Sequence, residues 1–473
     1  MGHEMDLAFP RRIAREHKLL QALCPWQPYQ THALEALIMN KRLVAVTRRE
    51  MMRLSALGLA LPTIIARTAL GSAQQPPPSE RLTLGFIGMG KQNQYHLNAF
   101  LGMQDVHVLA VCEVDTTRRN VSRDKVNKKY ENEDCAAYND YRELIARNDI
   151  DGVVIATPDH WHTHPIVDAC KAKKHIYCEK PLTLTIAEAK LCIDAVNKYG
   201  VVFQTGSQQR SGREFRTACE AVRNGRIGKI KQVYASVGGP SRWCDLPEEP
   251  MEPGLDWDLW LGQAPMRPYN SVLSPRGMHD HFPAWRSYRE SSGGGMTDWG
   301  AHHFDIAQWG LGMDDSGPVE IIPPDEPEKG SGVRYIYENG VELIHGGYDG
   351  RGGVNFVGTD GVVYVDRGKL QSWPEDVVKE PLKESEKIRL YESPGHHRDW
   401  LNAIRENRQP ICPVEVGARS VTVCHLGNLA YWTGKRLKWD PKNWRFVEPV
   451  EANEWLDGIR KEPRRDPWQL PTL

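Results

Sequence analysis

The sequence predicts an α/β protein of two domains: a doubly wound parallel domain followed by an α+β domain with an open, mostly antiparallel sheet. Three observations carry this. From Arg81 short apolar runs alternate with helical segments, the pattern of parallel strands joined by crossover helices. The first run ends in a glycine pair, Gly88-Met89-Gly90. After Gly206 the alternation stops, and β-rich runs separated by Pro/Gly loops take over, as expected of a sheet with its helices on one face. A chain of 473 residues also exceeds the ~100–200 residues of a single domain.

In chain order, strands are expected at residues 82–87, 106–111, 152–156, 175–178 and 201–204. Helices fall between them at 95–101, 166–173 and 186–199, the last opened by Thr185 as a cap and closed by Gly200. In the second domain the β-rich runs are 230–237, 333–337, 341–344 and 361–365. The expected boundaries are 81–206 for the first domain, 207–440 for the second, and 441–473 for a C-terminal arm.

Ahead of the first domain, Arg48-Arg49 and the apolar run 54–66 resemble a twin-arginine export signal. The run is shorter than the ~20 residues of a membrane span and contains Pro62. Gly71-Ser72-Ala73 then offers a small-x-small site, so cleavage after Ala73 and a periplasmic location are expected. Residues 47–80 read as signal and linker, and 1–46 as an extension that a start at Met39 would largely omit.

Lys plus Arg total 60 against 61 Asp plus Glu, so no net field draws the chain to nucleic acid or an acidic membrane. A small molecule is the expected partner. The ten cysteines form no C-x-x-C pair, and Cys112, Cys170, Cys178 and Cys192 sit in apolar runs as buried thiols. Unpaired thiols are unusual outside the cytoplasm. The twin-arginine route, which carries folded proteins, removes that conflict.

The first strand runs into Gly88-Met89-Gly90-Lys91-Gln92-Asn93, a G-x-G-x-x-N with Asn where the dinucleotide fingerprint has its third glycine. Gly88, Gly90, Lys91, Gln92 and Asn93 would set a pyrophosphate against a helix N-terminus. Glu113 follows the second strand, 23 residues beyond Gly90, where it would accept the ribose hydroxyls and repel a 2′-phosphate. NAD is therefore the expected cofactor. NADP is the alternative, because Arg118 or Arg119 could turn toward a phosphate.

Strand three ends in Ala156-Thr157-Pro158-Asp159-His160-Trp161-His162, and strand four in Cys178-Glu179-Lys180-Pro181-Leu182. A T-P-x-x-x-H segment followed by E-K-P-L resembles the Gfo/Idh/MocA oxidoreductases, over about residues 82–441. The resemblance implies a Rossmann domain followed by a substrate domain whose open sheet makes a homo-oligomer interface. It also implies nicotinamide contacts from Thr157, Pro158, His162 and Glu179, and substrate contacts from His160 and Trp161. Lys180 is then a catalytic or substrate-orienting residue beside the nicotinamide, which it also contacts, and an ammonium at a strand's carboxyl end can stabilise a developing alkoxide.

A second constellation runs from Gly293 to Asp305, with a helix expected over 298–311 and Gly300, Phe304, Ala307 and Leu311 on its buried face. Asp298 and His302 are i and i+4 on a neighbouring face. The resemblance makes His302 the acid/base and Asp298 its orienting or substrate-binding partner, with His303 the rival. The histidines at 160, 162, 164, 279 and 281 do not complete a credible metal ligand set, so no metal is expected.

The implied activity is reversible oxidation of a secondary alcohol on a sugar, cyclitol or related polyol, with hydride passing to nicotinamide. One alternative is a glycoside hydrolase that works through transient oxidation and elimination. The other is a non-catalytic sugar-binding protein.

Overall fold

Six parallel strands in the order β3-β2-β1-β4-β5-β6 make the first sheet: β1 (Leu82–Ile87), β2 (Val106–Cys112), β3 (Ala136–Tyr138), β4 (Gly152–Ile155), β5 (His175–Cys178) and β6 (Phe203–Thr205). This computed structural model describes residues 77–473. The expected export segment, Arg48-Arg49 and Ala73 lie outside the described residues. The helices α1 (Lys91–Leu101), α2 (Thr116–Tyr130), α3 (Thr163–Lys171) and α4 (Ile186–Tyr199) cross between the strands. β3 was not expected, because three residues are too short a run to show periodicity.

Sequence signals place α4 well. Thr185 Oγ1 accepts from Glu188 N at 3.2 Å, and Glu188 Oε2 accepts from Leu184 N at 2.8 Å, a reciprocal cap of the T-x-x-E kind. The helix ends at Gly200, whose φ of +67° is the left-handed stop that glycine supplies.

The second sheet has nine strands in the order β13-β12-β11-β7-β10-β9-β8-β14-β15. They are β7 (Ile230–Ala235), β8 (Glu320–Ile322), β9 (Arg334–Ile336), β10 (Glu342–His345), β11 (Val354–Gly358), β12 (Val362–Asp366), β13 (Lys369–Trp373), β14 (Leu437–Asp440) and β15 (Arg445–Glu448). The β7–β10 pair is parallel and the other pairs are antiparallel. The main helices of this half are α5 (Arg213–Arg223), α6 (Gly300–Leu311), α7 (His396–Glu406) and α8 (Val414–Thr433).

α6 was expected to bury one face, yet every residue from Gly300 to Gly310 is buried. The helix lies between the sheet, α5 and α8, so no side of it meets water. Its expected span also breaks: Gly295–Asp298 is a separate helical turn, and α6 begins after Trp299.

Two later segments complete the first domain. Trp400 and Leu401 of α7 join Leu84, Phe86, Phe100 and Val154 in the core on one face of the parallel sheet. The boundary at 440 needs correction, because β15 is the edge of the second sheet. The arm proper starts after Glu448 and returns to the first domain, where Arg464 lies 2.7 Å from Glu188 and Trp468 packs edge-on to Trp161. Apolar burial and one desolvated ion pair hold it there. Among the described residues no helix is long and apolar enough to cross a membrane. The nine described cysteines are free, and Cys112, Cys170, Cys178 and Cys192 are buried.

Candidate active site

The carboxyl ends of β1, β2 and β4 open into a cavity of about 900 Å³, lined by Gly88, Gly90, Lys91, Glu113, Thr157 and Pro158 among others. Gly88 has φ +80°, and a Cβ there would stand 2.9 Å from the Thr157 backbone, so only glycine lets the two turns meet. A Cβ on Gly90 would meet nothing within 4 Å. No side chain caps the α1 N-terminus behind it. Exposed helix amides facing open space fit a dinucleotide pyrophosphate.

Glu113 lines the same cavity, 7 % exposed, and accepts from Met89 N at 2.7 Å and Asp115 N at 3.0 Å. It thereby fixes the glycine loop while bordering the cavity. Arg118 Nε donates to Gly277 O at 2.9 Å and Arg119 donates to Asn139 Oδ1 at 2.9 Å, so both guanidinium groups already have protein partners.

A second cavity, about 800 Å³, adjoins the first and shares Gln92, Thr157, Trp285 and Arg286 with it. It holds Glu179, Lys180, Asp298 and His302. Lys180 Nζ donates to Asp298 Oδ1 at 2.6 Å and to Asp298 O at 3.0 Å, and the Lys180–Pro181 bond is cis. Burial pushes the Asp298 carboxyl up, but Lys180 outweighs it and holds the group below its ordinary value. Glu179 is buried too. The hydrogen bond from His96 at 2.8 Å, with the Lys180 charge and amide, overcomes that burial and holds the carboxyl at about 2.

His302 lines this cavity with its Nδ1 buried and unpartnered. Burial first, then Lys180 and Arg367, drive its pKa well below the ordinary value, so the ring is neutral at physiological pH.

Several expected contacts fall elsewhere. Asp298 was expected to orient His302 or to bind substrate; the helix break at Trp299 turns its carboxylate to Lys180, and it lines the second cavity. Asn93 is fully buried, and its Nδ2 donates to Ile87 O at 3.1 Å and Gly88 O at 2.8 Å; it braces the loop from behind and does not face the dinucleotide groove. That packing also answers the missing third glycine.

His162 lies between the Pro181 and Thr157 carbonyls, at 2.9 and 3.0 Å, and joins the two motif turns from below the cavity. His160 reaches Trp260 O at 3.1 Å, and Trp161 donates to the same oxygen at 2.9 Å. His160 is therefore core, and Trp161 presents its surface to the dinucleotide cavity, away from Lys180. His303 points to Ser236 O at 2.8 Å on the far side of α6. His164 goes to Gln469 O, so the 160–164 histidines diverge.

Two groups went unread in the sequence. Asp159 is 3 % exposed, lines the second cavity and accepts from Ser292 Oγ at 2.6 Å. Arg286 lines both cavities, stacks 4.1 Å over Trp285, and donates to Pro283 O at 3.2 Å. Asp159 was visible only as a motif filler, and nothing in the spacing singles out Arg286.

Comparison with known proteins agrees with this layout. The description "oxidoreductase family, NAD-binding Rossmann fold" of the Gfo/Idh/MocA group matches residues 82–207, and its C-terminal alpha/beta domain matches residues 241–470. The chain is 32 % identical over 148 residues to the myo-inositol 2-dehydrogenase of Thermotoga maritima, which is 31 % of this chain and 42 % of that protein. It is 30 % identical over 174 residues to an alpha-N-acetylgalactosaminidase of Shewanella oneidensis, covering 35 % of this chain and 37 % of that one. The matched stretches thus span less than half of either relative. Among solved structures, the WlbA dehydrogenase of Bordetella pertussis, in complex with NADH and UDP-GlcNAcA, superposes with a TM-score of 0.56 at 17 % identity, covering 76 % of this chain and 98 % of that one.

Proposed function

The chain belongs to the Gfo/Idh/MocA oxidoreductase family, and we propose that it oxidises a secondary alcohol of a sugar, cyclitol or related polyol with NAD. The observation that carries this is the Lys180–Asp298 ion pair, set where the dinucleotide groove opens into a polar cavity. When bound, the nicotinamide supplies a hydride acceptor. The chain's own residues do the rest. Lys180 Nζ makes two donations to Asp298, which leaves its third donor for the reacting oxygen. His302 and Asp159 are the cavity groups able to share the hydroxyl proton. Glu113 and the committed Arg118 and Arg119 support NAD over NADP.

Purified protein offered a panel of sugars and cyclitols should raise nicotinamide absorbance at 340 nm with one or more of them, ~340 nm being the reduced-nicotinamide band that hydride transfer creates. No absorbance change across the panel refutes the reading. The stretch similar to alpha-N-acetylgalactosaminidase favours a second reading, glycoside cleavage through transient oxidation. In that case monosaccharide is released and reduced nucleotide does not accumulate.

Export by the twin-arginine route belongs to the same reading, supported by Arg48-Arg49 and by eight buried, unpaired thiols that suit folding before transport. Replacing both arginines with lysine should leave the protein in the cytoplasm. A homo-oligomer through the nine-stranded sheet is the matching expectation for assembly, and its mass in solution tests it.

A further inference from the structure

A two-residue turn, Arg367-Gly368, joins β12 to β13, with Asp366 paired to Lys369 across it. Gly368 has φ +69°, a left-handed conformation that glycine adopts without strain. The turn carries Arg367 to the cavity that holds Lys180, Asp298 and His302. Two contacts fix it there. Its guanidinium lies 4.7 Å over the Trp299 ring, which stands edge-on to His302 with ring centroids 5.9 Å apart. Arg367 Nε donates to the Gln209 amide oxygen at 3.2 Å, and the Gln209 amide nitrogen donates to His302 O at 3.2 Å. The side chain is thus tied to the backbone of His302 through a single buried glutamine.

The rest of its donors are open. Nη1 and Nη2 have no hydrogen bond among the described residues, and Arg367 is exposed where it lines the cavity. It has no ion pair among them either: the Asp366 carboxylate accepts from the Arg367 amide at 2.7 Å and lies 3.8 Å from His303. The other cations of the cavity already face acids. Lys180 is paired with Asp298, and Arg286 stands among Asp298, Asp159 and Glu179. A guanidinium fixed through Nε, with both Nη ends open, fits the two oxygens of a carboxylate. A lone hydroxyl would answer one of those ends and leave the charge unmatched.

We propose that Arg367 is a specificity-determining residue and that the polyol it selects is a sugar acid, held by a bidentate, charge-assisted contact between Arg367 and the sugar's carboxylate. The inference rests on the oxidoreductase reading above and narrows its substrate class. The oxidised hydroxyl lies at Lys180 and His302, and the carboxylate lies at Arg367 in the same cavity. Burial, then Lys180 and Arg367, hold His302 below its ordinary value. A carboxylate on Arg367 offsets the last of these and so favours a proton on that ring as the alcohol is oxidised. Arg367 itself exchanges no proton or electron.

The test runs the sugar panel in matched sets, each neutral sugar beside its uronate and aldonate, with the full chain and NAD. The best substrate should be an acid, with a kcat/KM ~10-fold or more above that of its neutral partner. Arg367→Gln should lower kcat/KM on the acid by ~10²-fold, mostly through KM, and bring the acid-to-neutral ratio toward one. Arg367→Lys, which keeps the charge without the fork, should fall between the two. NAD affinity, measured by calorimetry, reports whether the variants are folded. A neutral best substrate, or an acid-to-neutral ratio that Arg367→Gln leaves unchanged, overturns the assignment and leaves the oxidoreductase reading standing. A sugar phosphate preferred to both does the same. Absence of NAD reduction by any member of the panel overturns the oxidoreductase reading and this assignment with it.

Discussion

Lys180 Nζ lies 2.6 Å from Asp298 Oδ1, an ion pair that joins the end of β5 to the turn before α6 and so closes the site from both domains. Removing the ammonium removes the donor to the reacting oxygen. Lys180→Ala should lower kcat by ~10²-fold or more. NAD affinity should change little, because the glycine loop and Glu113 are on other turns. Asp298→Asn should cost less, since the amide oxygen still accepts from Lys180. A Lys180→Ala protein with near-normal kcat would remove Lys180 from the chemistry.

Cofactor choice is argued from Glu113. Its carboxylate borders the dinucleotide cavity, and Arg118 and Arg119 are already engaged by protein oxygens. NAD should bind at least ~10-fold more tightly than NADP, the equivalent of about 1.4 kcal/mol of charge repulsion. Glu113→Gln should narrow that gap. Calorimetric titration of both nucleotides measures it, and equal affinities for the wild type would contradict the assignment.

The C-terminal arm is held by Arg464 against Glu188, both buried. Burial pushes the Glu188 carboxyl up, but Arg464 and Arg460 outweigh it and hold it at about 2, below its ordinary 4.5. A depressed carboxylate stabilises the fold above its ordinary value, and the contribution is lost as pH falls through the folded-state value. Arg464→Ala should therefore cost about 3 kcal/mol at neutral pH, since it leaves a buried charge unpaired. The difference in unfolding free energy between wild type and Arg464→Ala should shrink between about pH 4.5 and 2. A difference that stays constant over that range would place the stabilisation elsewhere.

How much of this was legible follows from which signals are local. β1 and β5 have their expected bounds, and α4 has both ends, because an apolar run, a threonine cap and a glycine stop all act within a few residues. Gly88, Glu113 and Lys180 could be placed because strand ends in a doubly wound sheet must face the same crevice. His160, His162 and Asn93 could not. Their partners are the carbonyls of Trp260, Pro181 and Ile87, and a main-chain acceptor leaves no trace in residue identity. Arg286 and Asp159 were missed for a related reason. Each matters through burial and through partners more than a hundred residues away along the chain: Ser292 donates to Asp159, and the Asp159 and Glu179 carboxylates act on Arg286.

The last prediction separates the two adjacent histidines of α6. His302 borders the catalytic cavity, whereas His303 faces Ser236 O at 2.8 Å and lies 3.8 Å from Asp366 in the second sheet. His302→Ala should lower kcat/KM by ~10²-fold, the lower end for a group that positions a reacting hydroxyl. His303→Ala should instead lower the melting temperature and leave kcat/KM within a few-fold, because it strands a buried carbonyl. A normal kcat/KM in His302→Ala beside a dead His303→Ala would move the catalytic face around α6.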